Sequence, residues 1–225
     1  MRDTHPYTAG VNNESPGRKL RADARLNREQ IIEAARALIA ERGAEVPMEE
    51  VARRAGVGTA TLYRRFPDRE ALVREVALDG FHRVVAIVRD AEDEESDAWR
   101  ALSRFIRRAA AELRLATWLS IWFTSTWEQV RDDPEERRLR QILLKILGRL
   151  VRRAQADGDL RHDVDAGDLT LMMALLLRPI PGLRAELTQR SVDRYLTLML
   201  DGLRAHPDIQ QLPDSDIGLA DLGGD

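Results

Sequence analysis

Between Met48 and Phe66 the chain gathers the side chains best suited to reading another molecule. Arg64 and Arg65 carry planar guanidinium forks that can grip a guanine edge. Thr59, Thr61 and Tyr63 carry hydroxyls that reach phosphate oxygens. A helix from about Thr59 to Arg65 would turn Leu62 inward, with Val57 and Phe66 packing beside it. That leaves Thr59, Ala60, Thr61, Tyr63, Arg64 and Arg65 outside. Small residues at the start of such a helix let that end sink into a DNA major groove. A shorter apolar pattern precedes it: Met48, Val51, Ala52 and Ala55, stopped by Gly56. Ala52 and Ala55 are small enough for two helices to cross closely, and glycine takes the positive φ that a tight turn needs. Helix, glycine turn, helix within 48–66 is the geometry of a helix-turn-helix. A plain corner between two helices with a solvated outer face has the same spacing, so spacing alone leaves both readings open.

Elsewhere the reactive side chains are thinly spread. His5, His82, His162 and His206 are scattered, cysteine is absent, and Asp79 with His82 lacks the second pair a di-iron bundle needs. No Gly-x-Ser-x-Gly elbow or phosphate-cradling glycine loop occurs. Glu135-Glu136 opens a helix, where the macrodipole accounts for it. The sequence therefore predicts no enzyme, no metal and no cofactor. One cluster stands out by excess: of four Trp in the chain, Trp118, Trp122 and Trp127 fall within ten residues, with Phe123 among them. Trp118 and Trp122 share one helix face, Phe123 and Trp127 another. Core filling is the plain account of such a cluster.

These groups must be positioned by helices, because nothing alternates with period two for long and apolar residues recur at helical spacing. About nine helices are expected, in an all-α chain. Residues 1–26 read as a disordered leader, basic in its second half at Arg18, Lys19, Arg21 and Arg25, and able to add sequence-independent affinity for DNA. Order is expected from Asn27, which with Gln30 resembles a capping box ahead of Ile31, Ile32, Ala35, Leu38 and Ile39. After the helices at 48–55 and 59–65, Asp68 caps a helix from Arg69 to about Asp90, and Glu92 to Asp97 forms an acidic connector. A helix over about Ala98 to Leu115, the aromatic segment, and an amphipath carrying Leu139, Leu143, Ile146, Leu147 and Leu150 come next. Asp165 with Asp168 starts another helix, stopped at Arg178 to Gly182, and Thr188 caps the last. Residues 206–225 read as a frayed acidic tail. The net charge is −3, yet residues 18–75 hold thirteen basic against ten acidic side chains. A basic bias at one end of an acidic chain fits DNA contact through that end. The longest apolar run, Leu169 to Leu177, is too short to span a bilayer, and no signal peptide opens the sequence, so a cytoplasmic protein without membrane contact is expected.

Residues 27–90 resemble the TetR family of bacterial regulators. The stretch from Glu49 to Leu72, which contains Ala55-Gly56-Val57-Gly58-Thr59-Ala60-Thr61-Leu62-Tyr63-Arg64-Arg65-Phe66-Pro67-Asp68, is similar to that family nearly throughout, and Ile31 to Ala35 with Glu41-Arg42-Gly43 matches its first helix. Two positions depart: Pro47 stands where a capping Thr is usual, and Gly58 where a Ser is common. Both thin the phosphate contacts. The resemblance implies a helix-turn-helix head over 27–70 (motif about 47–66) and a ligand-binding and dimerisation body over 71–205. The expected DNA contacts are Thr59, Ala60, Thr61, Tyr63, Arg64, Arg65 and Arg69. It further implies a homodimer that represses promoters from a double-stranded operator and leaves DNA when a small-molecule effector binds. A helical small-molecule or interaction module that has lost DNA binding is the alternative. The resemblance also makes the aromatic cluster a candidate cavity wall, with Phe81, Phe105, Trp118, Trp122, Ile146 and Met172 lining it and Thr117, Ser120 and Thr124 supplying polar contacts. The dimer is expected through the helices near 166–178 and 189–204, whose apolar residues cover more than one face.

Overall fold

A computed structural model describes residues 16–43, 45–180, 182–213 and 217–218, without the side chains of 16–24, 118, 122 and 185. The described residues form nine helices and no strand. They are α1 (Pro16–Arg42), α2 (Met48–Arg54), α3 (Thr59–Arg65), α4 (Arg69–Glu94), α5 (Ala98–Trp122), α6 (Thr124–Arg131), α7 (Pro134–Ala156), α8 (Ala166–Leu176) and α9 (Ala185–Leu203).

Helix ends follow local chemistry. Gly43 closes α1 at φ +86°, and Asp68 opens α4 by accepting from the Ala71 amide at 2.7 Å. Asp97 caps α5 on the Arg100 amide at 2.8 Å, and Pro134 sits in the first turn of α7, capped by Asp133. The capping box of Asp165 and Asp168 opens α8 as the sequence predicts.

Several expectations are corrected. α1 begins at Pro16, so Asn27 and Gln30 lie inside a helix and cap nothing. Residues 18–26 are rich in Arg and Ala, strong helix formers, but carry no apolar stripe to reveal the period. The expected disorder of residues 1–15 lies outside the described residues. α4 runs on through Glu94 because partners neutralise its acidic end: Arg149 of α7 takes Glu92 at 2.7 Å, and Arg104 of α5 pairs with Glu94 and Glu95. α5 continues to Trp122, and the chain bends only at Phe123, which ends α5 and starts α6. Thr188 does not cap α9; it lies in the first turn and donates to the Arg184 carbonyl.

The tail is not frayed over its described part. The Arg161 guanidinium donates to the Gln210 carbonyl, the Leu212 amide donates to Asp163, and the Ile217 amide donates to Asp168 at 3.2 Å. This strap crosses the start of α8 at Gly167, where a Cβ would collide with the carbonyl oxygens of Ile217 and Gly218.

Two apolar clusters form the core. One joins Ile31, Leu38, Val51, Leu62 and Phe66 to Leu72, Val73, Val76 and Ala77 of α4, and takes in Leu115, Leu119 and Val130 of α5 and α6. The other joins Val84, Val85 and Val88 of α4 to α5, α7, α8 and α9. The head's packing thus extends past residue 70 into α4, and Phe81 packs against both clusters. α4 is therefore a shared beam rather than a linker.

Candidate nucleic-acid interface and effector cavity

α2 and α3 form the corner that the sequence implies. Gly56 turns at φ +68°, and the Val57 amide closes the turn on the Ala52 carbonyl at 3.0 Å. Leu62 and Phe66 are buried, and Val57 is half-buried beside them. Neither Pro47 nor Gly58 offers a side-chain cap; the Gly58 carbonyl instead accepts from Thr61 and Leu62.

Thr59, Ala60, Tyr63, Arg64 and Arg65 are exposed along α3, and Thr61 is half-buried. Among the described residues, Arg64 and Arg65 have no hydrogen-bond or ion-pair partner, whereas Arg42, Arg53 and Arg54 are held by Glu50 and Glu41. Two unspent guanidinium groups on an exposed helix face suit an outside anion or base edge. The Tyr63 hydroxyl donates to Glu49 at 3.3 Å, and desolvation together with the Glu49 carboxylate raises its pKa. It stays a donor at neutral pH. Arg69 differs from the other six expected contacts: half-buried, it donates to the Val46 carbonyl at 3.0 Å and so braces the loop before α2. Arg18, Lys19 and Arg21 lie on the first turns of α1, with their side chains outside the described residues. Arg25 pairs with Glu29 at 3.5 Å.

In the body, a cavity of about 270 Å³ opens between α4, α5, α6, α7 and α8. Of the expected wall and polar residues, Phe81, Phe105, Thr117 and Ser120 line it. Ile146 does not; it is buried in the core, and its α7 neighbours Leu143 and Leu147 face the cavity. Met172 is also displaced: Met173 lines the cavity, and Met172 lines an outer groove with Leu175, Ile180 and Tyr195. One residue of helix is about 100° of rotation, so a shift of one position turns a side chain from cavity to surface. The side chains of Trp118 and Trp122 lie outside the described residues. Trp127 does line the cavity, its ring 6.0 Å from that of Phe81 and tilted by 32°. Thr124 is exposed and is not among the wall residues of this cavity, while Thr170 of α8, unmarked in the sequence, takes a polar position on the wall.

Among the described residues, no ionisable side chain lines this cavity. Its three hydroxyls donate to carbonyls of their own helices: Thr117 to Leu113 at 2.9 Å, Ser120 to Thr117 at 2.8 Å and Thr170 to Ala166 at 2.8 Å. Each oxygen keeps its acceptor lone pairs for a guest. Among the described residues, no helix is long and apolar enough to cross a membrane.

Comparison with known proteins agrees with this division. Residues 31–76 match the family model described as bacterial regulatory proteins, tetR family. Residues 97–205 match the model for the C-terminal domain of SbtR-like transcriptional regulators. A search of curated proteins returns no match. Among solved structures, a TetR transcription regulatory protein from Mycobacterium vanbaalenii is 33% identical with a TM-score of 0.60, covering 83% of this chain and 99% of its own. The regulator SCO0520 from Streptomyces coelicolor is 28% identical with a TM-score of 0.60, covering 79% and 98%. The ketosteroid regulator KstR2 of Mycobacterium tuberculosis, 20% identical with a TM-score of 0.53 over 80% and 95%, shares the fold. The chain belongs to the TetR family of bacterial transcriptional regulators, with a DNA-binding helix-turn-helix head and a ligand-binding C-terminal domain.

Proposed function

We propose that this chain is a homodimeric repressor that lets go of its operator when a small, uncharged, hydrophobic molecule fills the body cavity. The observation that carries this is the placement of Phe81. It lines the cavity and packs against the head's core, on the helix that runs unbroken from one to the other. Thr59, Ala60, Thr61, Tyr63, Arg64 and Arg65 read the operator, and Arg69 holds the corner in shape. The free guanidinium groups of Arg64 and Arg65 speak against a module that has lost DNA binding.

The ligand class follows from the wall. A carboxylate or sulfonate would give up its hydration with no cation to meet it, a large cost in an apolar site. Acceptor-only hydroxyls suit a guest with one hydroxyl or N–H donor on a flat apolar body, and the volume suits about two fused rings. Three isosteres test this: naphthalene, 2-naphthol and 2-naphthoate, titrated by tryptophan emission with and without an operator selected from random DNA. Tightest binding by 2-naphthol, weakened by operator, supports the reading. Equal affinity with and without operator for every binding probe overturns the release mechanism, and preference for 2-naphthoate overturns the ligand class.

A further inference from the structure

Arg36 of α1 is nine-tenths buried at the meeting of α1, α4 and α5. Its Nη2 grips both oxygens of Glu112, one of them at 2.6 Å. Among the described residues this is the one ion pair that ties α1–α3 to α5–α9. Two more carboxylates stand beside it. Asp79 of α4, which also accepts from Arg83 at 2.7 Å, lies 3.6 Å from Nη1, Glu33 on Arg36's own helix lies 3.7 Å from Nε, and neither Nη1 nor Nε has a hydrogen-bond partner. Gly80 leaves the space next to Nη1 open: a Cβ there would sit 3.8 Å away. The cation therefore has one acceptor in hand and another within reach, on two different helices.

Both helices feel the cavity at this level. Glu112 directly precedes Leu113, which lines it, and Ala116 and Thr117 line it about one turn on. Asp79 stands two residues before Phe81, another wall residue. Among the described residues the head also packs on α5 through apolar Leu115 and Leu119. Apolar packing is non-directional and lets helices slide, whereas a guanidinium fork fixes distance and angle. A guest that separates α4 from α5 must carry Asp79 and Glu112 to new places relative to α1.

We propose that Arg36 is the positioning residue that transmits cavity filling to the DNA-binding head, held by Glu112 when the cavity is empty and passed toward Asp79 when it is full. This rests on the release mechanism above and adds the route by which the head is moved. A two-state element that both sites bias is what coupling between them requires.

The test needs no natural ligand. Ala116→Phe, and separately Ala174→Phe, place a ring in the cavity from two different helices. Each is combined with Arg36→Met, which keeps the apolar stem, and with Arg36→Lys, which keeps the charge without the fork. Operator affinity is measured on DNA selected by the unaltered chain, with circular dichroism as the check on folding. Cavity filling is expected to weaken operator binding by about tenfold or more. In the Arg36→Met background the same filling should cost less than about twofold, with Arg36→Lys between. Should Arg36→Met fail to fold, Glu112→Gln, close in shape, takes its place. An equal loss with and without the Arg36 tie overturns this proposal alone. No loss on filling in the otherwise unaltered chain overturns the release mechanism and this proposal together.

Discussion

Arg64 and Arg65 differ from Tyr63 in what they have already spent. The two arginines have no internal partner among the described residues, while the Tyr63 hydroxyl already donates a hydrogen bond to Glu49. An arginine that forks onto a guanine discriminates at one base pair, so Arg64→Ala or Arg65→Ala should cost about 1–3 kcal/mol and relax one operator position. Tyr63→Phe should weaken all sequences alike, and by less, since Glu49 competes for its hydroxyl. An operator panel with single base changes separates the two patterns; uniform losses for all three variants would end the base-reading assignment. Glu136 of α7 poses a different question. Its side chain is 1% exposed, one oxygen has no hydrogen-bond partner, and desolvation raises its pKa above the ordinary 4.5. A raised carboxylate pKa means that the folded state binds the proton more tightly. Ionising the group then costs stability as pH climbs from about 4.5 through the folded pKa. Glu136→Gln should therefore match the parent chain in acid and exceed it at pH 7. A gain on the order of 1 kcal/mol would raise Tm by about 2–4 °C. Thermal melts across that range decide it, and a variant that melts lower at pH 7 would show Arg140 outweighing burial.

At the scale of elements, α8 shows how a loop and a strap set a helix. Its capping box fixes where it starts, and the strap at 217–218 lies so close to Gly167 that no side chain fits. Gly167→Ala should cost about 1–3 kcal/mol through forced displacement. In a chain ending at Ala205 the same change should cost far less, because nothing is left to collide with. Urea denaturation of the four chains gives the cycle, and an equal cost in both lengths would mean that the strap does not press on α8. The same elements show what was legible in sequence. The corner at 48–66 was fully readable, because turn glycine, small crossing residues and inward Leu62 all act locally. The ends of α4 and α5 were not, since Glu92 and Glu94 become helical only through Arg149 and Arg104, far away in the chain. Nor was the strap: no pattern marks Arg161 or Asp163, and Asp168 reads only as part of a helix start, until the fold brings Gln210, Leu212 and Ile217 to them. The cavity was half legible. Phe81, Phe105, Thr117 and Ser120, candidates through the resemblance, do line it, but Met172 against Met173 turns on helix phase, and α8 is apolar nearly all round, so no period marks its inner face.

The whole molecule presents one further asymmetry, in its last two helices. Leu175 is 71% exposed and Leu198 62%, with Ile180 and Tyr195 also bare, so α8, the loop after it and α9 share an apolar face around the Met172 groove. A contiguous apolar surface of this kind marks an interface more often than a free face. A two-fold axis through it would pair like with like, α8 and α9 of one copy against those of the other, and would put two α3 helices on one side of the dimer. With the heads about 34–36 Å apart, both would enter successive major grooves of one duplex face. Release would then need no unfolding, only a change in that spacing through α4 and the Arg36 tie. Such a dimer would matter energetically because one head on one half-site makes few contacts. Linking two heads raises operator affinity by roughly 10²–10⁴ over a single one. Leu175→Glu with Leu198→Glu should therefore give a folded monomer at micromolar concentration by sedimentation. Operator binding should fall at least 100-fold, while the cavity still takes 2-naphthol. A parent chain that sediments as a monomer, or a doubly charged variant that still dimerises and binds operator unchanged, would move the interface elsewhere and leave this apolar face without its partner.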